Sequence, residues 1–206
     1  MFDPFATLGL ERRFEIDPAS LEARYRELQR ALHPDRHTGG TATERRLSLS
    51  KAMEVNEAYR TLKDELQRAE ALLALHGGAH GDAGEAPDPA FLVEVMELRE
   101  ALGDARDAGD LTRVRSLGAS VSAMERSVRD EMARAFASGG GAPDADTLAA
   151  IGRLVGRLKY FRRFADEVGV IEDSSPAERG RDSGRGAVSP PSEGGVPRSG
   201  EGGDPP

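Results

Sequence analysis

Apolar residues along the chain recur three or four positions apart and almost never alternate, while Val, Ile and Thr are sparse and Ala, Leu, Arg and Glu dominate. That period predicts an all-α protein. A helix is expected to open at Asp17-Pro18: the Asp17 carboxylate can accept from free first-turn N–H groups, and Pro18 at the first helical position forfeits no hydrogen bond. Leu21, Tyr25, Leu28 and Leu32 follow as one core stripe. His33 precedes Pro34, which pushes it out of the α region and ends the helix. A second helix is expected from about Thr43 to Asp64, with Leu49, Ala52, Met53, Asn56, Tyr59 and Leu62 inward or near the seam. A short connection makes the pair antiparallel and sets His33-Pro34-Asp35 at the tip of the hairpin.

Three composition breaks divide the chain. The Gly- and Pro-rich run from Gly77 to Pro89 cannot sustain a helix and reads as a linker. Ser138 to Pro143 is shorter and reads as a helix–helix loop. From Ser174 to Pro206 there are 8 Gly, 6 Pro and 6 Ser, with only Val188 and Val196 as large apolar residues, too little to offset the entropy of ordering. Between these breaks, helices are expected over about Pro89–Ala108, Asp110–Ala137 and Asp144–Val170, joined by short loops into an antiparallel three-helix bundle. The expected division is 1–76 for the hairpin unit, 77–87 for the linker, 88–172 for the bundle and 173–206 for a disordered tail.

Composition narrows the function. The 206 residues contain no Cys, which excludes disulfides, a Cys nucleophile and a thiolate-held metal cluster. The net charge of −8 and the 5% aromatic content argue against a nucleic-acid partner and against base-stacking platforms. No apolar run is long enough to span a bilayer, and Met1-Phe2-Asp3-Pro4 lacks the marks of a leader, so a cytoplasmic protein without a membrane partner is expected. His33, His37, His76 and His80 sit apart from one another without a carboxylate cage, so no metal and no other cofactor is expected.

Some positions do not fit a bland helical scaffold. Arg26 and Arg30 lie one turn apart, opposite the core stripe of the first long helix, either as an outward basic spot for a partner or as a solvated face flanked by Glu22 and Glu27. In the first bundle helix, Phe91, Val95, Leu98 and Leu102 make one stripe, yet Leu92, Val93 and Met96 point sideways or away from it. A helix with one buried side needs no second apolar face. Glu97, Glu100 and Asp104 extend that outer surface, which reads either as a docking site or as a face packed under the linker or the N-terminal unit. In the last helix, Leu148, Ile151, Val155 and Leu158 form the inner stripe; Tyr160 lies well off it and Phe164 partly so. Gly118, Gly152 and Gly156 fall inside expected helices, marking close helix approach or a bundle of modest stability.

Taken together, Asp3-Pro4-Phe5-Ala6-Thr7-Leu8-Gly9-Leu10, Tyr25-Arg26-Glu27-Leu28, His33-Pro34-Asp35-Arg36 and Asn56-Glu57-Ala58-Tyr59-Arg60-Thr61-Leu62 resemble a J-domain in order and spacing. The segment from Arg68 to Gly77 is similar to the one that closes the J-domain of HscB-type co-chaperones of Fe–S cluster assembly, with Glu65 where a Pro is common and Ala71 where a Tyr is common. The resemblance implies that His33, Pro34 and Asp35, with Arg26, Arg30 and, at the margin, Arg24, engage a 70-kDa heat-shock ATPase of HscA or DnaK type and stimulate its hydrolysis. Phe91 to Leu102 is similar to the HscB segment that docks an IscU-type Fe–S scaffold protein, which implies scaffold contacts at Leu92, Val93, Met96, Glu97, Glu100 and Asp104. Arg157-Leu158-Lys159-Tyr160-Phe161 resembles the stretch whose aromatic residue completes that site, assigned here to Tyr160; a rim residue against the neighbouring helix is the plainer reading. The lack of Cys matches bacterial-type members, since eukaryotic ones often carry a Cys-based zinc element. The expected protein is thus a monomeric co-chaperone with no catalytic residues, coupling scaffold delivery to ATP hydrolysis by another protein. A general J-protein with a different client is the alternative, in which the face of the first bundle helix has no role. An enzyme using His33 as general base lacks a plausible nucleophile nearby.

Overall fold

The computed structural model describes residues 2–33, 41–78, 88–137 and 143–174, which form seven α-helices and no strand. The first four are α1 (Pro4–Leu8), α2 (Pro18–Ala31), α3 (Ala42–Lys63) and α4 (Glu65–Leu75). Asp3 caps α1 by accepting from the Phe5 and Ala6 N–H groups at 3.0 Å, and Gly9 closes it with φ 65°, a left-handed conformation that suits Gly. Asp17 and Pro18 open α2 as expected, with the Asp17 carboxylate accepting from Ala19 and Ser20. Thr41 and Glu44 form a capping box that starts α3.

The α2–α3 hairpin is antiparallel. The Tyr25 and Tyr59 rings stack with centroids 4.1 Å apart. Tyr25 Oη and Gln29 Nε2 both donate to Asn56 Oδ1, at 2.9 and 2.5 Å. Nearer the tip, Ser48 Oγ donates to the Leu32 carbonyl at 3.1 Å. Phe5, Leu8, Leu21, Val55, Ala58 and Leu62 fill the core beneath. Each large apolar side chain fully withdrawn from water contributes roughly 1.5–3 kcal/mol. Leu49 and Met53, expected inward or near the seam, are each 64% exposed. Leu62 is buried as expected, and Val55 and Ala58 complete the buried side of α3, which leaves Leu49 and Met53 on a different face of the helix.

A single residue separates α3 from α4. Asp64 (φ −86°, ψ 121°) is the C-cap of one and the N-cap of the other, its carboxylate accepting from the Gln67 N–H at 2.9 Å. The bend therefore forms with Glu65 in place of a Pro.

The remaining helices are α5 (Pro89–Asp107), α6 (Leu111–Ala137) and α7 (Ala145–Ser174), the last running slightly past its expected end. The core of this part lies chiefly between α6 and α7, with Val114, Val121 and Met132 facing Ile151, Leu158 and Phe161. Phe164, partly off the stripe of Ile151, Val155 and Leu158, is buried as well, together with Phe161 and Val168 near it on α7. Helix α5 is more peripheral: of its stripe only Leu102 is fully buried, while Phe91, Val95 and Leu98 are half-buried.

The N-terminal helices rest on the bundle through α4 and α7. Arg162 Nη1 donates to both Asp64 carboxylate oxygens at 3.0 and 2.8 Å, Lys159 pairs with Glu70 at 2.7 Å, and Arg129 pairs with Glu65 at 2.8 Å. Phe14 stacks on Phe136 with centroids 5.6 Å apart. The linker residues 79–87, the loop 138–142 and the tail from residue 175 lie outside the described residues.

Candidate functional site

Two surfaces carry the residues singled out from the sequence. The first is the outer side of the α2–α3 hairpin near its tip. His33 is exposed, just beyond the Leu32 C-cap of α2, and Ser48 fixes the carbonyl that leads into it. Pro34 and Asp35 lie outside the described residues. Arg26 and Arg30 share one exposed face, with Arg30 Nε donating to the Arg26 carbonyl at 3.2 Å. Arg26 also pairs with Glu22 at 2.8 Å; at 70% side-chain exposure this ion pair is weak and is easily exchanged for a partner's carboxylate. Arg24 is drawn elsewhere: its Nε donates to the Leu8 carbonyl at 2.9 Å and its Nη1 to Glu27 at 2.7 Å, tying α2 to α1.

Glu22 organises this hairpin, a role with no sequence signal beyond the i,i+4 spacing to Arg26. It accepts from Tyr59 Oη across the seam and from Arg26 Nε along the helix, and these bonds hold its carboxyl below the usual range. The same bond to Glu22 pushes the Tyr59 phenol up. The surface is thus a cationic helix face of fixed register, leading to an exposed imidazole. Such a surface can bias a partner's conformation.

The second surface is the outer face of α5. Asp88 caps the helix with Pro89 in its first turn, which sets where the two faces fall. Leu92, Val93 and Met96 are 45%, 55% and 70% exposed, so they are not packed under the N-terminal helices. Glu97, Glu100 and Asp104 are exposed beside them. Tyr160 reaches this helix from α7. Its Oη donates to the Val95 carbonyl at 3.2 Å, and its ring meets Phe91 edge-on at 5.7 Å. Burial pushes its phenol up, partly opposed by Arg99. Arg99, which the sequence reading left without a role, lies over the Tyr160 ring at 5.9 Å. Only the pairing of α5 with α7 reveals that neighbour.

Among the described residues, no group of three or more His, Asp or Glu side chains could hold a metal, and no helix is long and apolar enough to cross a membrane.

A four-helix hairpin unit with an exposed His at its tip, resting on an antiparallel three-helix bundle, defines a co-chaperone of the J-protein class. Residues 3–71 match the family described as the DnaJ domain, and residues 87–169 match the HSCB C-terminal oligomerisation domain. The chain is 38% identical over 170 residues to the co-chaperone protein HscB homolog of Ralstonia nicotianae, covering 82% of this chain and 96% of that protein. Its fold is similar to that of chaperone HscB from Vibrio cholerae, at a TM-score of 0.68 and 32% identity over 83% of this chain and 98% of the other. Human co-chaperone HscB gives a TM-score of 0.72 at 28% identity, with 82% of each chain covered. The chain belongs to the HscB family of co-chaperones.

Proposed function

We propose that this protein delivers an IscU-type Fe–S scaffold protein to a 70-kDa heat-shock ATPase of HscA or DnaK type and stimulates that ATPase, acting as a cytoplasmic monomer that performs no catalysis of its own. Residues 1–76 act as the J-domain and residues 88–172 as the scaffold-binding unit. His33, Pro34 and Asp35 engage the ATPase at its nucleotide-controlled part, with Arg26 and Arg30 meeting an acidic surface there and Arg24 supporting the helix from the α1 side. Leu92, Val93 and Met96 take the scaffold's apolar patch, ringed by Glu97, Glu100 and Asp104, with Tyr160 at the edge.

The observation that carries this reading is the uncovered apolar triplet on α5. Three large side chains at 45–70% exposure on one helix, bordered by carboxylates, are what a protein partner covers and a solvated helix avoids. Self-association through the same face would oppose two acidic rims on a chain of net charge −8, which favours a monomer that binds a different protein.

Calorimetric titration of the full chain with an IscU-type scaffold tests this. The wild type binds; the Leu92→Ala, Val93→Ala, Met96→Ala variant loses affinity by tenfold or more, on the order of 1.4 kcal/mol. Equal affinity for the two would remove the scaffold assignment and favour a general J-protein with another client.

A further inference from the structure

The exposed apolar triplet of α5 carries a reactive atom at its centre. The chain has 5 Met and neither Cys nor Trp, so thioethers are its most readily oxidised side chains. Burial separates them. Met132 is fully buried and Met124 is packed against the core, while Met53 and Met96 are 64% and 70% exposed. Met1 lies outside the described residues. Met53 stands on α3, whereas Met96 stands in the outer face of α5. At about 100° per residue, Met96 points about 40° from Leu92 and about 60° from Val93, in a direction between the two. Its thioether is therefore inside the patch and not on its rim. Glu97, Glu100 and Asp104 are exposed around it, and Arg99, one turn further on, lies over the Tyr160 ring. The charge near the thioether is mostly negative, which holds off anionic oxidants and leaves a neutral one such as hydrogen peroxide unhindered.

We propose that Met96 is a redox modification site: hydrogen peroxide converts its thioether to the sulfoxide, which weakens the hold of α5 on the scaffold protein, and reduction restores it. This rests on the reading of α5 as the scaffold-binding surface given above and adds a control to it. A sulfur lone pair attacks one peroxide oxygen, and an S–O bond forms as the O–O bond breaks. The proton of the transferred oxygen passes to the departing hydroxide, which leaves as water. Sulfur is oxidised by two electrons and the peroxide is reduced by two. Before oxidation the thioether suits a docking face, being apolar, unbranched and adaptable. The sulfoxide is polar, and its oxygen is an acceptor. Covered by an apolar partner patch, that oxygen gives up water and gains no donor, so affinity falls. The reverse step is that of methionine sulfoxide reductases, which release the oxygen as water while two thiols of a reductant become a disulfide. A bound scaffold covers Met96, so only the unloaded protein is open to the modification. Met53 provides an internal control, since its oxidation adds a sulfoxide away from α5.

The test treats the full chain with hydrogen peroxide, as wild type, Met53→Leu and Met96→Leu. Peptide mass spectrometry reads oxidation at each Met, and calorimetric titration reads affinity for an IscU-type scaffold before and after. Each protein is compared with its own untreated form, so any effect of the substitution itself drops out. Affinity is expected to fall about tenfold or more in wild type and in Met53→Leu, and to change by less than about twofold in Met96→Leu. Both methionine sulfoxide reductases, supplied with a dithiol, are expected to return the wild type to its starting affinity, which separates modification from damage to the fold. A second measurement needs no variant. With scaffold present during treatment, Met96 is spared while Met53 is oxidised as before. Met96 oxidised with affinity unchanged, an equal loss in Met96→Leu, or a loss that the reductases leave in place overturns the proposal while the scaffold reading stands. Equal oxidation of Met96 with and without a bound scaffold also overturns it. If the untreated wild type does not bind the scaffold, the scaffold reading itself is wrong and the proposal falls with it.

Discussion

Asp64 shows how much one carboxylate can carry. It ends α3, caps α4 through the Gln67 N–H, and receives Arg162 from α7. Partial burial pushes its carboxyl up, but the Gln67 N–H and the Arg162 guanidinium outweigh that and hold it below the usual range. A carboxyl depressed in the folded state stabilises the fold above its unfolded pKa, and that stability is lost as pH falls through the folded pKa. Asp64→Asn keeps a competent cap but loses the ion pair, so it is expected to cost about 1 kcal/mol at neutral pH. In urea unfolding at several pH values, the gap between Asp64→Asn and wild type narrows steadily below about pH 4. A gap unchanged at pH 3 would contradict the ion pair.

At the scale of the helix, glycines inside α6 and α7 separate close packing from mere weakness. A Cβ on Gly118 would stand 3.1 Å from Val168 Cγ1, so α6 and α7 approach closely there. A Cβ on Gly156 would meet nothing within 4 Å. Gly156→Ala is therefore expected to stabilise by up to about 1 kcal/mol, raising Tm by roughly 2–4 °C, and Gly118→Ala to give no such gain. Differential scanning calorimetry of the two variants checks this; a larger gain at Gly118 would overturn the packing account.

Helix ends were legible where local chemistry fixes them. Asp17-Pro18 marked the start of α2, because capping uses neighbours in the sequence, and α6 opens at Leu111, one residue from its expected start. The second apolar face of α5 was legible too, since period alone separates it from the core stripe. The faces of α3 were not: Leu49 and Met53 sit at helical spacing, and spacing does not say which of two apolar faces is buried. The end of α3 was legible at Asp64, although no Gly or Pro marks the bend, whereas the pairs from α4 to α6 and α7 join residues far apart in the chain. Pairings of that kind leave no periodic trace.

At the scale of the molecule, α7 serves both parts. Lys159 and Arg162 hold α4, while Tyr160, between them in sequence, points to α5. The hairpin and the α5 face thereby belong to one connected body rather than to two independent units. The expectation is that Leu92→Ala, Val93→Ala, Met96→Ala abolishes the added effect of scaffold on ATP hydrolysis while leaving the stimulation seen without scaffold within about twofold. Steady-state hydrolysis with and without scaffold reads this directly, and a parallel loss of both would mean that the α5 face also serves the ATPase.

The central claim is that one end drives an ATPase, the other grips its client, and the protein does no chemistry itself. Single-turnover ATP hydrolysis by an HscA-type chaperone in the presence of the Asp35→Asn variant and scaffold tests it most directly. The account predicts a hydrolysis rate that falls to the level of chaperone with scaffold alone. A rate equal to that with the wild-type protein would contradict it.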